Sequence, residues 1–513
     1  MNQVHELIYQ CFIKTPDKVA VIDRESVFTY NDLWKNVCRI GCWLSNNYEQ
    51  GSRIAIMLDN SIESVLFVFG ASFAKMISVP IDTNIHQRNL SYIVSDARPS
   101  LIITAYKYLL KFDGVKFEQE AIIILADNKT VENRSLLYLS DILNENIADN
   151  GDMGSRGHVP GDKDLIASIL YTTGTTGPKK GVMLSHKNLL SATVNINKFM
   201  GIGSWAVECL VMPLSHSFGF ARLRCVFDVG GTVQLENGLL RPERVLSNMQ
   251  KNNANSISSV PAGFAILLDR YRELFEEVSC QIKYIEIGSA FMRKDHKEVL
   301  MKLCPNARIC MHYGLTEASR AVFIEFHSEK DKLCTVGQPS PNVELKIVGD
   351  NGNQLGVDEI GEIQVKGEMV MRGYWNKQKL TEESLENGWL HTGDLGMVDF
   401  DGYVHLLGRE NDVINIGGLK VAPGEVEEVL LKYKDILEVA VQGVASKDTI
   451  SDVAIKAFIV CDGMVPSLDE IKKFCLQNLE PYKIPVQFEL VNSLPKSSSG
   501  KIQKHLLIKE NDG

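Results

Sequence analysis

"YTTGTTGPKKGVMLSH", residues 171–186, sets four threonines, three glycines and two adjacent lysines between an apolar run and what reads as a helix. The run itself, "DLIASILY" at 164–171, has the β-branched and aliphatic residues of a buried strand. Glycine frees backbone N–H groups, and with threonine hydroxyls and a lysine these supply a polyphosphate with many donors and positive charge at close range. Alone, the stretch reads equally as a phosphate cradle or as a solvated turn, since Gly and Thr are ordinary loop residues. It is not a Walker A loop, because no Gly-Lys-Ser/Thr follows a glycine at the required spacing.

On either side of the loop the chain alternates strand and helix. "RIAIML" (53–58), a helical stretch over 62–76, "ISVPID" (77–82), a helix near 90–95 and "SLIITA" (100–105) form a βαβ rhythm. It resumes with a helix capped by Ser185, the strand "CLVMPL" (209–214), a helix entered at Arg241-Pro242, "IKYIEIG" (282–288), another helix and "ARICMHYG" (307–314). Such spacing predicts an α/β fold with doubly wound, mostly parallel sheets, whose ligands bind at the carboxyl ends of strands. "GIGSWA" (201–206) matches a dinucleotide fingerprint, but it follows a helix and precedes a strand, the reverse of the required order. Residues 334–407 read as a small β-rich module, and 145–163 as a long surface loop. Past "GREND" (408–412) a helix, two strands, a helix behind a Ser467/Glu470 capping box and a last strand make a separate α+β unit. The expected domains are 1–409 and 410–513.

A chain of 513 residues exceeds one hydrophobic core, and 45% hydrophobic with 23% charged residues is ordinary globular usage. The formal net charge of −10 argues against nucleic acid or an anionic membrane surface as partner. The first residues lack the basic and apolar regions of a secretory signal, and no apolar run is long enough to span a bilayer. The 11 cysteines include no C-x-x-C pair, and Cys209, Cys225 and Cys310 sit in apolar surroundings, so reduced thiols and a cytoplasmic location are expected. Cys38 and Cys42 share a helical face without His or further Cys nearby, which favours packing over metal binding.

Four more segments join the loop: "MPLSHSFGF" (212–220), "MHYGLTEAS" (311–319), "GWLHTGDLG" (388–396) with "GRENDVINIGGLKVAPGEVEE" (408–428), and "LPKSSSGKIQK" (494–504). In that order and spacing, over nearly the whole chain, they resemble the adenylate-forming superfamily of acyl-CoA synthetases, adenylation domains and luciferases.

The resemblance implies roles residue by residue. Thr172, Thr173, Gly174, Thr175, Thr176 and Gly177 would wrap the ATP phosphates with Lys180. Here the chain departs from the family, having Pro178 one place early and Lys179 in between. Tyr313, after His312 and Gly314's neighbour, would stack on adenine; Thr316 would meet the α-phosphate; Glu317, with Thr172, would hold Mg²⁺. Gly288, Ser289 and Ala290 in "EIGSAF" would line the nucleotide, Asp394 would accept both ribose hydroxyls, and Arg409 would assist. His216, Phe218, Ala290 and Gly314 would shape the acyl pocket, and Gly417 and Gly418 the thiol channel. Lys501 would be the catalytic lysine of a small mobile C-terminal domain, with the hinge at Asn411, where the family normally has Asp or Lys.

The implied reaction is ATP-dependent activation of a carboxylic acid as acyl-AMP with loss of pyrophosphate, then transfer to a pantetheine thiol, as in fatty acid metabolism. CoA is taken as acceptor on family frequency; the phosphopantetheine of an acyl carrier protein is the alternative. "SHSFGF" lacks the Asp that holds an α-amino group in peptide-synthetase domains, which disfavours amino acids. Arg222 and Arg224 in "FARLRCVF" face either a second carboxylate or the surface, and exposure statistics favour the surface. An inactive nucleotide-binding relative is disfavoured because Lys501, Glu317, Asp394 and Tyr313 are all present.

Overall fold

The alternation read along 53–104 folds as parallel strands. A computed structural model describes residues 1–116, 122–127, 136–144, 161–172, 179–416, 419–445, 453–461, 467–496 and 502–507. Arg53–Met57, Ile77–Pro80, Leu101–Thr104, Ile122–Leu125 and Ile166–Tyr171 are parallel neighbours in an eight-stranded sheet. The nine-stranded second sheet has a parallel centre, in the order Arg308–Tyr313, Tyr284–Gly288, Ser256–Ser259, Val207–Leu210, Thr232–Leu235 and Val19–Asp23. The strand read at 209–214 thus ends at Leu210, ahead of Pro213, which has no N–H to offer a ladder.

Helices fill the space beside the sheets. Tyr30–Asn47 starts at a Thr29/Asp32 capping box and Ile62–Phe73 at a Ser61/Ser64 one. They approach closely because Gly41 and Gly70 face them: a Cβ on Gly41 would sit 2.4 Å from the Phe73 ring, and one on Gly70 2.6 Å from Ile40. Of the caps read in the sequence, Ser185 accepts from the Asn188 N–H and Pro242 opens its helix; Gly201, which the sequence reading did not mark as a cap, closes one with a φ of 65°.

One local expectation changes. The loop after Tyr171 does not run into a helix; Gly181–Ser185 is a strand antiparallel to Ile166–Tyr171, and the helix begins at His186. The loop is therefore the tip of a hairpin.

Glu344–Val348, Gly361–Lys366, Leu385–Glu386, Trp389–Val398 and Val404–Arg409 form a separate five-stranded antiparallel sheet. Beyond it, Ile436–Ala445, Val453–Cys461 and Gln487–Leu490 make a three-stranded sheet with helices Pro423–Leu430 and Leu468–Asn478. Val426, Leu430, Val441, Ile455, Ile459 and Ile471 fill its core, a cluster that draws on nothing before Ile414. The fold is α/β, with a large N-terminal domain and a small C-terminal one. No described helix is long and apolar enough to cross a membrane.

Candidate active site

The root of the threonine loop is held by its own hairpin. Thr172 N–H donates to the Lys180 carbonyl at 3.0 Å, and Lys179 Nζ donates to the Thr172 carbonyl at 3.3 Å. Burial lowers the Lys179 pKa. Thr173, Gly174, Thr175, Thr176, Gly177 and Pro178 lie outside the described residues. Lys180 Nζ stands 5.2 Å over the Tyr374 ring, and the Tyr374 hydroxyl donates to Glu317 Oε1 at 2.9 Å. The segment carrying Tyr374 bridges both parts: Met371 N–H donates to the Glu317 carbonyl and Trp375 N–H to the Gly181 carbonyl. Sequence reasoning missed Tyr374; its only signal was an aromatic pair behind a glycine in "MRGYW" (371–375).

The nucleotide-side segments meet at the carboxyl ends of two adjacent parallel strands, where Gly288 registers with His312. Gly288 admits no side chain, because a Cβ would stand 2.1 Å from the His312 ring. Ser289 follows with a φ of 74°, a conformation that L residues adopt at a cost. Past Tyr313 the chain turns sharply: Leu315 and Ala318 exchange backbone hydrogen bonds, and a Cβ on Gly314 would meet the Arg320 amide at 2.5 Å. Thr316 and Glu317 ride the tip of this turn.

Asp394, 5% exposed, sits opposite Arg409 in the five-stranded sheet. Its Oδ1 is 2.8 Å from Arg409 Nε, and its Oδ2 accepts from the Tyr313 hydroxyl at 2.7 Å. Burial and the Asp394 charge both push the Tyr313 pKa up, so the phenol stays protonated and donating. Tyr313 and Asp394, 81 residues apart, thus share one hydrogen bond.

The acyl-side segment departs most from expectation. Arg222 and Arg224 are not at the surface; they are 0% and 2% exposed. Helix Ser217–Asp228 is buried on every face, so a two-residue spacing gives neither arginine a route to water. Arg222 is neutralised by Glu208 at 3.0 Å and Glu286 at 3.2 Å, and also donates to the Tyr284 hydroxyl at 2.8 Å. Glu286 further pairs with Arg320 at 2.9 Å and His312 at 2.8 Å. Burial alone would raise its pKa, but Arg320, His312 and Arg222 together hold its carboxyl well below the usual range. Phe218 packs edge-on against His312 with centroids 4.9 Å apart, and the Arg320 guanidinium lies over the Phe218 ring at 4.7 Å. A cleft beside these groups is lined by Ser217, Arg224, Thr316 and Ser319, not by His216, Phe218, Ala290 or Gly314.

Asn411 falls in a single 3₁₀ turn, Glu410–Asp412, between the strands Val404–Arg409 and Ile414–Ile416. Gly417, Gly418 and Lys501 lie outside the described residues. The two other lysines of the last motif are occupied: Lys496 pairs with Glu438 at 2.6 Å and Lys504 with Glu427 at 2.7 Å. The AMP-binding enzyme family matches residues 10–375, and the AMP-binding enzyme C-terminal domain matches 425–501. A long-chain-fatty-acid–CoA ligase of Bacillus subtilis is 30% identical, over 96% of this chain and 92% of its own length. ATP-bound MatB from Rhodopseudomonas palustris superposes with a TM-score of 0.87 at 26% identity, covering 99% of this chain and 98% of that one. The o-succinylbenzoate CoA synthetase of Bacillus subtilis, in complex with its acyl-adenylate intermediate, gives 0.83 at 25% identity with the same coverage. With both family domains matched in order, this chain belongs to the AMP-binding enzyme family as an acid–thiol ligase.

Proposed function

We propose that the protein uses ATP to convert a carboxylic acid to acyl-AMP, releasing pyrophosphate, and then transfers the acyl group to the thiol of CoA. The observation that carries this reading is the meeting of Tyr313, Asp394 and Arg409 beside the chain Lys180–Tyr374–Glu317, which supports nucleoside on one side and polyphosphate on the other. Asp394 and Arg409 hold the ribose, Tyr313 stacks on the base beside Gly288, Ser289, Ala290 and His312, and Thr316 meets the α-phosphate.

A carboxylate is a poor electrophile because its leaving group would be oxide. Attack of its oxygen on the α-phosphorus forms a P–O bond, breaks the bond to pyrophosphate and makes AMP the new leaving group. The chain's contribution is charge neutralisation and in-line positioning. Lys180 and the loop 172–177 bind the β- and γ-phosphates. Lys501 supplies positive charge to the crowded α-phosphate; the ion pairs of Lys496 and Lys504 with their own domain favour Lys501 for this part. Glu317, a hard-oxygen carboxylate, and Thr172 would hold an Mg²⁺ together with the substrate phosphates. Bound there, Mg²⁺ would neutralise phosphate charge. In the second half-reaction the domain beyond about residue 410 turns at Asn411, Gly417 and Gly418 line the thiol's path, and the thiol sulfur displaces AMP from the acyl carbon.

Exchange of labelled pyrophosphate into ATP, run across aliphatic, aromatic, hydroxy and amino acids, tests the first half-reaction. ATP binding without exchange on any acid would overturn it. Thioester formation with CoA against phosphopantetheinylated carrier proteins tests the second, and strong preference for a carrier would replace CoA.

A further inference from the structure

Of the two buried arginines on helix Ser217–Asp228, only Arg222 is neutralised. Among the described residues Arg224 has no ion-pair partner. Its Nε donates to Thr193 Oγ1 at 3.3 Å, its guanidinium lies 4.3 Å over the Phe220 ring, and its Nη1 is buried without a hydrogen bond. Burial pushes its pKa down to about 9. A buried cation with an idle donor is costly unless something completes it.

That donor's surroundings say what would. Arg224 lines a small cleft whose walls include Leu170, Leu184 and Met369 and whose polar members are Asn188, Ser217, Thr316 and Ser319; no acidic residue is among them. Leu170 leads directly into Tyr171 and the threonine loop, and Thr316 is the group assigned to the α-phosphate. The cleft therefore begins where the reacting carboxylate must sit and contains a guanidinium without a counter-ion. We propose that Arg224 binds a second carboxylate of the acid, so that the substrate is a short dicarboxylic acid. This inference rests on the ligase reading above. A planar guanidinium matches a carboxylate in charge and geometry, whereas an alkyl tail would leave the cation buried and unpaired. The cleft is too small for a long acyl chain.

The test is a matched series in the full-length enzyme: malonate, succinate and glutarate against propionate, butyrate and pentanoate, with palmitate as the long-chain arm, reading kcat/KM for pyrophosphate release. The wild type should prefer a diacid over its monoacid partner by about 10²-fold or more, as sites built around a buried polar group do. Arg224→Gln should erase most of that ratio, and Arg224→Lys should restore part of it; ATP binding measured alongside reports folding. Turnover of monoacids or palmitate equal to the diacids in the wild type overturns the inference while leaving the ligase reading intact, and needs no variant. Equal loss on both members of a pair in Arg224→Gln makes the arginine structural and also overturns it. Failure on every acid of this series overturns the inference, and the ligase reading is then decided by the wider panel of acids.

Discussion

Replacing Asp394 by Asn keeps the volume and removes the charge from the group expected to hold the ribose. The carboxylate now accepts from Tyr313 at 2.7 Å and pairs with Arg409 at 2.8 Å. Asn offers one acceptor oxygen, and its NH₂ would face either the Arg409 donors or the sugar. Losing a hydrogen bond to a charged acceptor removes about 1.5–3 kcal/mol of the interaction. With one ribose bond lost and the other weakened, ATP affinity should fall by about 10²-fold, since each tenfold corresponds to about 1.4 kcal/mol. Stability should suffer less: Arg409 is 50% exposed, so its ion pair contributes under about 1 kcal/mol. Calorimetric titration with ATP and with 2′-deoxy-ATP separates the effects. The native protein should discriminate between the two nucleotides, and Asp394→Asn should bind both weakly and nearly alike. An affinity for ATP within about threefold of native, or undiminished discrimination, would show that Asp394 serves the protein fold and not the ribose.

Lys501→Ala should lower adenylation by several orders of magnitude, as expected when a charge acting only in the transition state is removed, yet still convert supplied acyl-adenylate to thioester; equal loss of both halves would assign the lysine a structural role. Asn411→Pro is compatible with a 3₁₀ turn, whose φ a proline ring already matches, so it should lock the junction. Adenylation should survive while thioester formation falls by at least about 10²-fold, and equal slowing, or none, moves the pivot elsewhere. His5 and His186 are both buried, and burial lowers their pKa values to about 3 and about 4. The unfolded chain binds their protons near pH 6.5 while the folded one does not, so their stability contribution is intact above 6.5 and is lost as pH falls toward 4. At pH 5.5 each should cost about 1.4 kcal/mol. Urea unfolding at pH 7.5 and 5.5 should show the drop, reduced in His5→Gln; an unchanged pH slope in that variant would exclude His5 as a source.

Much of the site was legible because adenylate chemistry uses short segments whose residue types are demanded locally. Gly288 and Gly314 stand where no side chain fits, and Ser185 and Ser467 cap the helices predicted behind them. Tyr374 was not legible, because its hydroxyl acts through Glu317, 57 residues away, and a single aromatic carries no local mark of a partner. Glu344–Val348 and Gly361–Lys366 lie in the segment whose Asn and Gly turns marked it as β-rich, a signal that needs only near neighbours; their pairing was not legible.

The sequence by itself determined the order of elements, the caps and the family, because periodicity, turn chemistry and short motifs act over a few residues. Only the tertiary structure decided the fate of the two arginines. Two positions apart on a helix point about 200° from each other, so exposure statistics reasonably put at least one of them in water. Both are buried because the helix is enclosed on every side. Glu208 and Glu286, arriving from different strands of one sheet, compensate Arg222 alone. Whether a charge is neutralised depends on groups that meet only after the sheet has formed, and no local pattern encodes that meeting.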